Sequence, residues 1–129
     1  MKKVLFTVAL MFGAMVASAQ VSVVKEAKSM KKDPAAAAKV LEAALTNPET
    51  ANDPETWKLA GDLQKAIYDE ENMKMYLPGG QADMPKMYGA MLKMFEYYLK
   101  CDEVEQAGVA NGTVKKAKHR KKNSEVLLS

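Results

Sequence analysis

Apolar positions recur at three- and four-residue steps along most of the chain, a period that predicts helices. The organising stretch opens at Asp53-Pro54-Glu55-Thr56-Trp57. Asp53 is placed to cap a helix, Pro54 suits its first position, and Glu55 meets its positive end. Trp57, Ala60, Gly61, Gln64, Ile67 and Tyr68 then share one broad face. Gly61 costs roughly 1 kcal/mol of helix propensity relative to alanine. A bare position one turn after the chain's only tryptophan predicts close approach by another helix. This helix is expected to run to about Glu71. Asp69-Glu70-Glu71 sits at its negative end, so fraying and solvated carboxylates are expected there.

The same pattern marks the neighbours. Val23, Val24, Ala27 and Met30 predict a short amphipathic helix. Asp33-Pro34 repeats the cap chemistry and opens Ala35 to Leu45, which ends at Asn47-Pro48 before a polar connection, Glu49 to Asn52. Pro78-Gly79-Gly80 requires a loop over Asn72 to Ala82. Asp83 is a third candidate cap, with Pro85 two residues on. From Pro85 to Glu103, Met84, Met87, Met91 and Met94 step by three and four, with Tyr88, Leu92, Phe95 and Tyr98 beside them. Gly108 and Gly112 are expected to break that helix, before a basic run and the apolar Val126-Leu127-Leu128. No run alternates strictly enough for a strand. The pattern predicts an all-α chain of four helices, with a possible fifth at the C-terminus, stacked around the Trp57 helix.

The N-terminus reads differently. Lys2 and Lys3 precede the apolar run Val4 to Val16, and Ala17-Ser18-Ala19 has the small-x-small form of a cleavage site. The run is short for the roughly 20 residues a membrane helix needs. A signal peptide over 1–19, cleaved to leave Gln20, is therefore expected. The protein would be exported to the periplasm or outside the cell, with no stable membrane span after cleavage. A helical domain over 20–106 and a basic helical segment over 107–129 follow. Charge divides along the same line. Gln20 to Gly112 holds 11 lysines against 15 acids, whereas Thr113 to Ser129 holds six Lys/Arg against one acid, Glu125. Cys101 is the only cysteine, so no disulfide framework exists. It is either a buried thiol or the site of a mixed disulfide with a partner.

Ala36, Val40, Ala43 and Pro48 have the spacing of the second helix of a tetratricopeptide repeat, and Trp57, Ala60 and Gly61 match the opening of the next repeat, with alanine replacing leucine. Ala90 and Met94 fit the following helix. Over about Val21 to Glu103 the chain resembles this family, and from Thr56 to Asp102 it is similar to the N-terminal part of exported bacterial members. Gln64 and Tyr97 depart from the pattern, and the Asn72–Ala82 loop exceeds a 34-residue repeat. The resemblance implies an all-α fold of antiparallel helix pairs stacked as a short tetratricopeptide-like solenoid, around a concave wall lined by the Trp57 helix. Lys58, Asp62 and Lys65 would then face a protein or peptide partner. Their spacing equally suits a solvated face of i,i+3 and i,i+4 ion pairs. Trp57, Ala60, Gly61, Tyr68, Met87, Met91 and Met94 are expected to be structural. The chain's end suggests either a capping helix or the start of a further repeat in a longer member.

Candidate chemistry adds little. Thioethers favour Cu(I), so the Met-rich helix 84–94, with Met73 and Met75, raises the reading of a small-ligand or copper carrier. The same spacing describes a buried face filled by adaptable side chains, or a groove for a partner helix. His119 is the only histidine and has no metal-spaced companions. No nucleophile elbow, Walker loop or dinucleotide fingerprint is present. Lys115, Lys116, Lys118, Arg120, Lys121 and Lys122 suit a polyanion or a solvated helix face, with no aromatics interleaved for base stacking. The expected function is a non-enzymatic exported helical module that binds a protein or peptide in the cell envelope. It needs no cofactor, metal or nucleic acid.

Overall fold

The computed structural model describes residues 22–128, within which all regular structure is helical. The expected signal peptide and its cleavage site lie outside the described residues. Helix α1 covers 22–29, α2 Pro34–Leu45, α3 Pro48–Ala51, α4 Pro54–Lys74, α5 Met84–Asn111 and α6 Arg120–Leu128.

Local chemistry sets most starts. Asp33, Asp53 and Asp83 accept backbone N–H bonds from Ala36, Glu55 and Lys86 at 3.2, 3.0 and 3.1 Å, and a proline follows each within two residues. Asn47 does the same for Glu49 at 3.0 Å, so the expected polar connection is a one-turn helix, α3. Thr50 closes it by donating to the Ala44 carbonyl at 2.6 Å.

Helix α4 is central and buries two faces. Leu59, Ala60 and Leu63 pack with Ala27 of α1 and Ala37, Leu41 and Ala44 of α2. The other face meets α5. A Cβ on Gly61 would clash with the Tyr98 ring, so the close approach expected there is made by that ring. Trp57 is 8% exposed, with its ring tilted at 52° against Tyr97 and its indole N–H donating to the Ala51 carbonyl at 2.7 Å.

Three boundaries differ from expectation. Helix α4 does not fray at Glu71 but continues to Lys74. Helix α5 runs unbroken through Gly108 to Asn111, across the expected 106/107 boundary. Val114 folds back over Gly108, where a Cβ would strike its methyl, and Gly112 ends the helix with φ 84°. The basic run is not one helix: residues 113–119 are irregular and only Arg120 onward is helical. Helices α4 and α5 have 21 and 28 residues, so their hairpin exceeds the roughly 34-residue unit of the resembled family.

Candidate interaction surfaces

The residues expected to line a concave wall are engaged within the fold. The Lys58 ammonium lies 3.1 Å from Asp62, 3.2 Å from the Asn123 carbonyl oxygen and 4.8 Å from the Tyr98 ring centre. Tyr98 donates its hydroxyl to Asp62 at 2.6 Å. Asn123 is fully buried and donates to Asp102 at 3.2 Å. This seam joins α4, α5 and α6. Burial, then the Asp62 bond, pushes the Tyr98 hydroxyl pKa well up. Lys65 pairs separately with Asp69 at 2.7 Å on a half-open surface, and Tyr68 is half-buried.

Cys101 is buried beside the seam, with its thiol 3.4 Å from the Pro54 carbonyl. Burial pushes its pKa up to about 11. A buried thiol held protonated at neutral pH is a poor nucleophile.

The methionines divide. Met87 and Met94 lie in the core, Met91 is half-buried and Met84 is partly exposed. Among the described residues no cluster of three or more His, Cys, Asp or Glu is placed to hold a metal ion. The wide apolar face of α5 is also divided. Met87, Ala90, Met94, Tyr98 and Cys101 turn inward. Tyr88, Leu92 and Leu99 point outward, 50%, 66% and 58% exposed, with Phe95 half-buried among them. Their steps of four, three and four form a ridge roughly 16 Å long on an α-helix. Glu96 stands on its flank, exposed, whereas Lys93 lies farther round the helix, beside α2.

A second surface lies between the start of α4 and the C-terminal half of α5. This groove of about 650 Å³ is lined by Glu49, Asp53, Lys100, Glu103, Asn111 and Thr113 among others. Its charges are largely committed: Asp53 caps α4, and Glu103 pairs with Lys100 at 3.3 Å.

Two buried carboxylates are structural, and of these Glu71 runs against the expectation of a solvated helix end. Glu71 is 1% exposed. It meets Lys74 at 2.7 Å and Lys86 at 3.5 Å, and accepts the Asp83 N–H at 2.8 Å. The Lys74 bond, then the Asp83 N–H, hold its pKa down at about 2. Glu105, 2% exposed, accepts the His119 N–H at 3.1 Å, and the His119 ring lies 2.7 Å from Glu55. Sequence reasoning missed Glu71, Glu105 and Asn123 because most of their partners lie across turns; Lys74, one turn from Glu71, is the exception. The usable signal was an acid in a helix C-terminal half followed, a dozen or so residues on, by another helix start. Among the described residues no helix is long and apolar enough to cross a membrane. Set against protein-family models, curated proteins and solved structures, the chain matches none of them.

Proposed function

We propose that this chain is a non-enzymatic, tetratricopeptide-like helical module of the cell envelope that docks an amphipathic helix of another protein on the outer ridge of α5. The observation that carries this reading is the row Tyr88, Leu92, Phe95 and Leu99, apolar and outward over three turns. Exposed contiguous apolar patches on a helix mark interaction sites more often than isolated apolar residues do. Steps of four and three are the spacing a second helix reads. The flanking charge narrows the partner: its helix would carry a basic residue opposite Glu96. Export rests on the N-terminal pattern, and the family reading on the Trp57 and Ala36 spacings. The copper alternative gains nothing from the burial of Met87 and Met94.

The test compares the full chain with Leu92→Ser/Leu99→Ser in capture of envelope proteins, with Lys25→Ser as control. Both leucines are exposed, so stability should change by no more than about 0.5 kcal/mol per site. A defined helical partner held by the parent and the control, and lost by the double variant, supports the reading. An identical captured set from all three, or no partner for the parent, overturns it.

A further inference from the structure

We propose that the 115–122 segment binds the anionic surface of a phospholipid bilayer. Lys115, Lys116, Lys118, Arg120, Lys121 and Lys122 are all exposed. Among the described residues only Lys118 of these six has an ion pair, 4.0 Å from Glu55. Apart from the exposed Glu125, one turn on in α6 and a single charge against six, the acids near the segment are already taken. Glu55 meets the His119 ring at 2.7 Å, Glu105 is buried against the His119 N–H, and Asp102 holds Asn123. The net negative charge of the rest of the mature chain therefore does not neutralise this end locally.

The placement also runs against helix electrostatics. Arg120, Lys121 and Lys122 fill the first turn of α6, which contains no acid. Cations at the positive end of a helix are unfavourable. The other three lie on irregular backbone, so no regular helical face presents the run to solvent. The fold keeps α6 in place by other means, through the buried Asn123 and Glu105. Its surface charges are thus free for something external.

The chemistry favours a diffuse anionic surface. Clusters of four to eight cations beside or on a helix bind anionic bilayers additively, without a shaped pocket. No aromatic residue interleaves the run for base stacking. The cations are split between a loop and one helical turn, which suits a plane of phosphodiester headgroups better than a groove.

The test is co-sedimentation of the full chain with phosphatidylcholine vesicles and with vesicles containing about one-third phosphatidylglycerol, at low and high ionic strength. The test variant carries Lys115→Gln, Lys116→Gln, Lys121→Gln and Lys122→Gln. A control removes the same charge elsewhere through Lys25→Gln, Lys28→Gln, Lys31→Gln and Lys39→Gln. Circular dichroism verifies that both stay helical. The expected result is preferential binding to the anionic vesicles, weakened at least about tenfold by high salt and by the test variant, with the control unaffected. Equal binding to both vesicle types, or equal loss in the control, overturns the proposal. So does displacement by millimolar inorganic phosphate, which would indicate a discrete phosphate site. Tighter binding to duplex DNA than to the vesicles would assign the segment to nucleic acid and overturn it as well.

Discussion

The joint between α4 and α5 and the joint between α5 and α6 use the same device and close it differently. In each, a buried carboxylate near the end of one helix accepts the backbone N–H at the entrance to the next: Glu71 from Asp83 at 2.8 Å, Glu105 from His119 at 3.1 Å. At the first joint Lys74 and Lys86 also reach the carboxylate, so its charge is balanced on the spot. At the second, the helix is anchored by the uncharged Asn123, and six nearby cations face outward. A joint built only for stability has no need of such a surplus. The contrast separates charge that holds the fold from charge displayed to the surroundings.

Glycine substitutions give the largest separation. A Cβ on Gly80 would collide with the Lys74 backbone carbonyl, which cannot rotate away. Gly80→Ala should lower stability toward the upper end of the roughly 1–3 kcal/mol that forced backbone shifts cost. A Cβ on Gly108 meets a Val114 methyl and crowds the Val114 Cβ and Thr113 hydroxyl, stiff side chains carried on an irregular segment that can shift as a unit. Gly108→Ala also recovers up to about 1 kcal/mol of helix propensity, so its net change should stay within about 1 kcal/mol. Urea unfolding of both variants checks the order; equal losses would mean that the two joints are equally rigid. Next in size is Glu105→Ala, which orphans a part-buried N–H and should cost about 1–2 kcal/mol. Limited trypsin digestion at Lys115 to Lys122 should accelerate in that variant, because α6 loses its hold. Unchanged digestion would show that Asn123 alone anchors the helix.

The parts of this architecture legible in the sequence are those whose causes lie within a few residues. Asp33, Asp53 and Asp83 cap because their side chains reach N–H groups two or three residues on, and the nearby prolines reinforce the signal. Gly61 foretold a close approach, since only proximity justifies bare backbone there, but its occupant, Tyr98, lies far along the chain. Glu71 departs from its local signal only partly for the same reason. The helix dipole gives its local sign correctly, but Lys74, one turn on in a helix longer than expected, and then the Asp83 N–H, across a turn, decide its energy. Gly108 remains helical because Val114 covers it, a contact no periodicity encodes. The face of α5 was read as wide and apolar; period gives the angle of each residue but not how many neighbours surround the helix. The ridge of Tyr88, Leu92 and Leu99 was therefore indistinguishable from core.

Acid titration sharpens the contrast from the first joint. The Glu71 carboxyl pKa is lowered from 4.5 to about 2 in the fold. A depressed folded pKa adds stability above the unfolded value, and that stability is lost as pH falls through the folded value. The contribution should thus be whole above about pH 4.5 and fade between there and about pH 2. Glu71→Gln removes it, so the urea midpoint of the variant should fall less steeply over that window than the parent's. Parallel profiles would mean that the joint holds without the charge.

The smallest expected effect tests the outward charge directly. Lys118 and Glu55 are 4.0 Å apart, with side chains 64% and 57% exposed. Water screens such a pair, and holding two flexible chains together consumes most of the gain. Lys118→Ala should move stability by less than about 0.5 kcal/mol. Lys74→Ala, by contrast, takes a cation from a carboxylate whose side chain is only 2% exposed, and should lower the midpoint clearly. If the two substitutions proved equal, the second joint's cations would be part of the fold's own electrostatics, and the surplus would need no external partner. If Lys118→Ala is silent while Lys74→Ala is not, the basic end of the molecule contributes nothing to folding that would account for its charge.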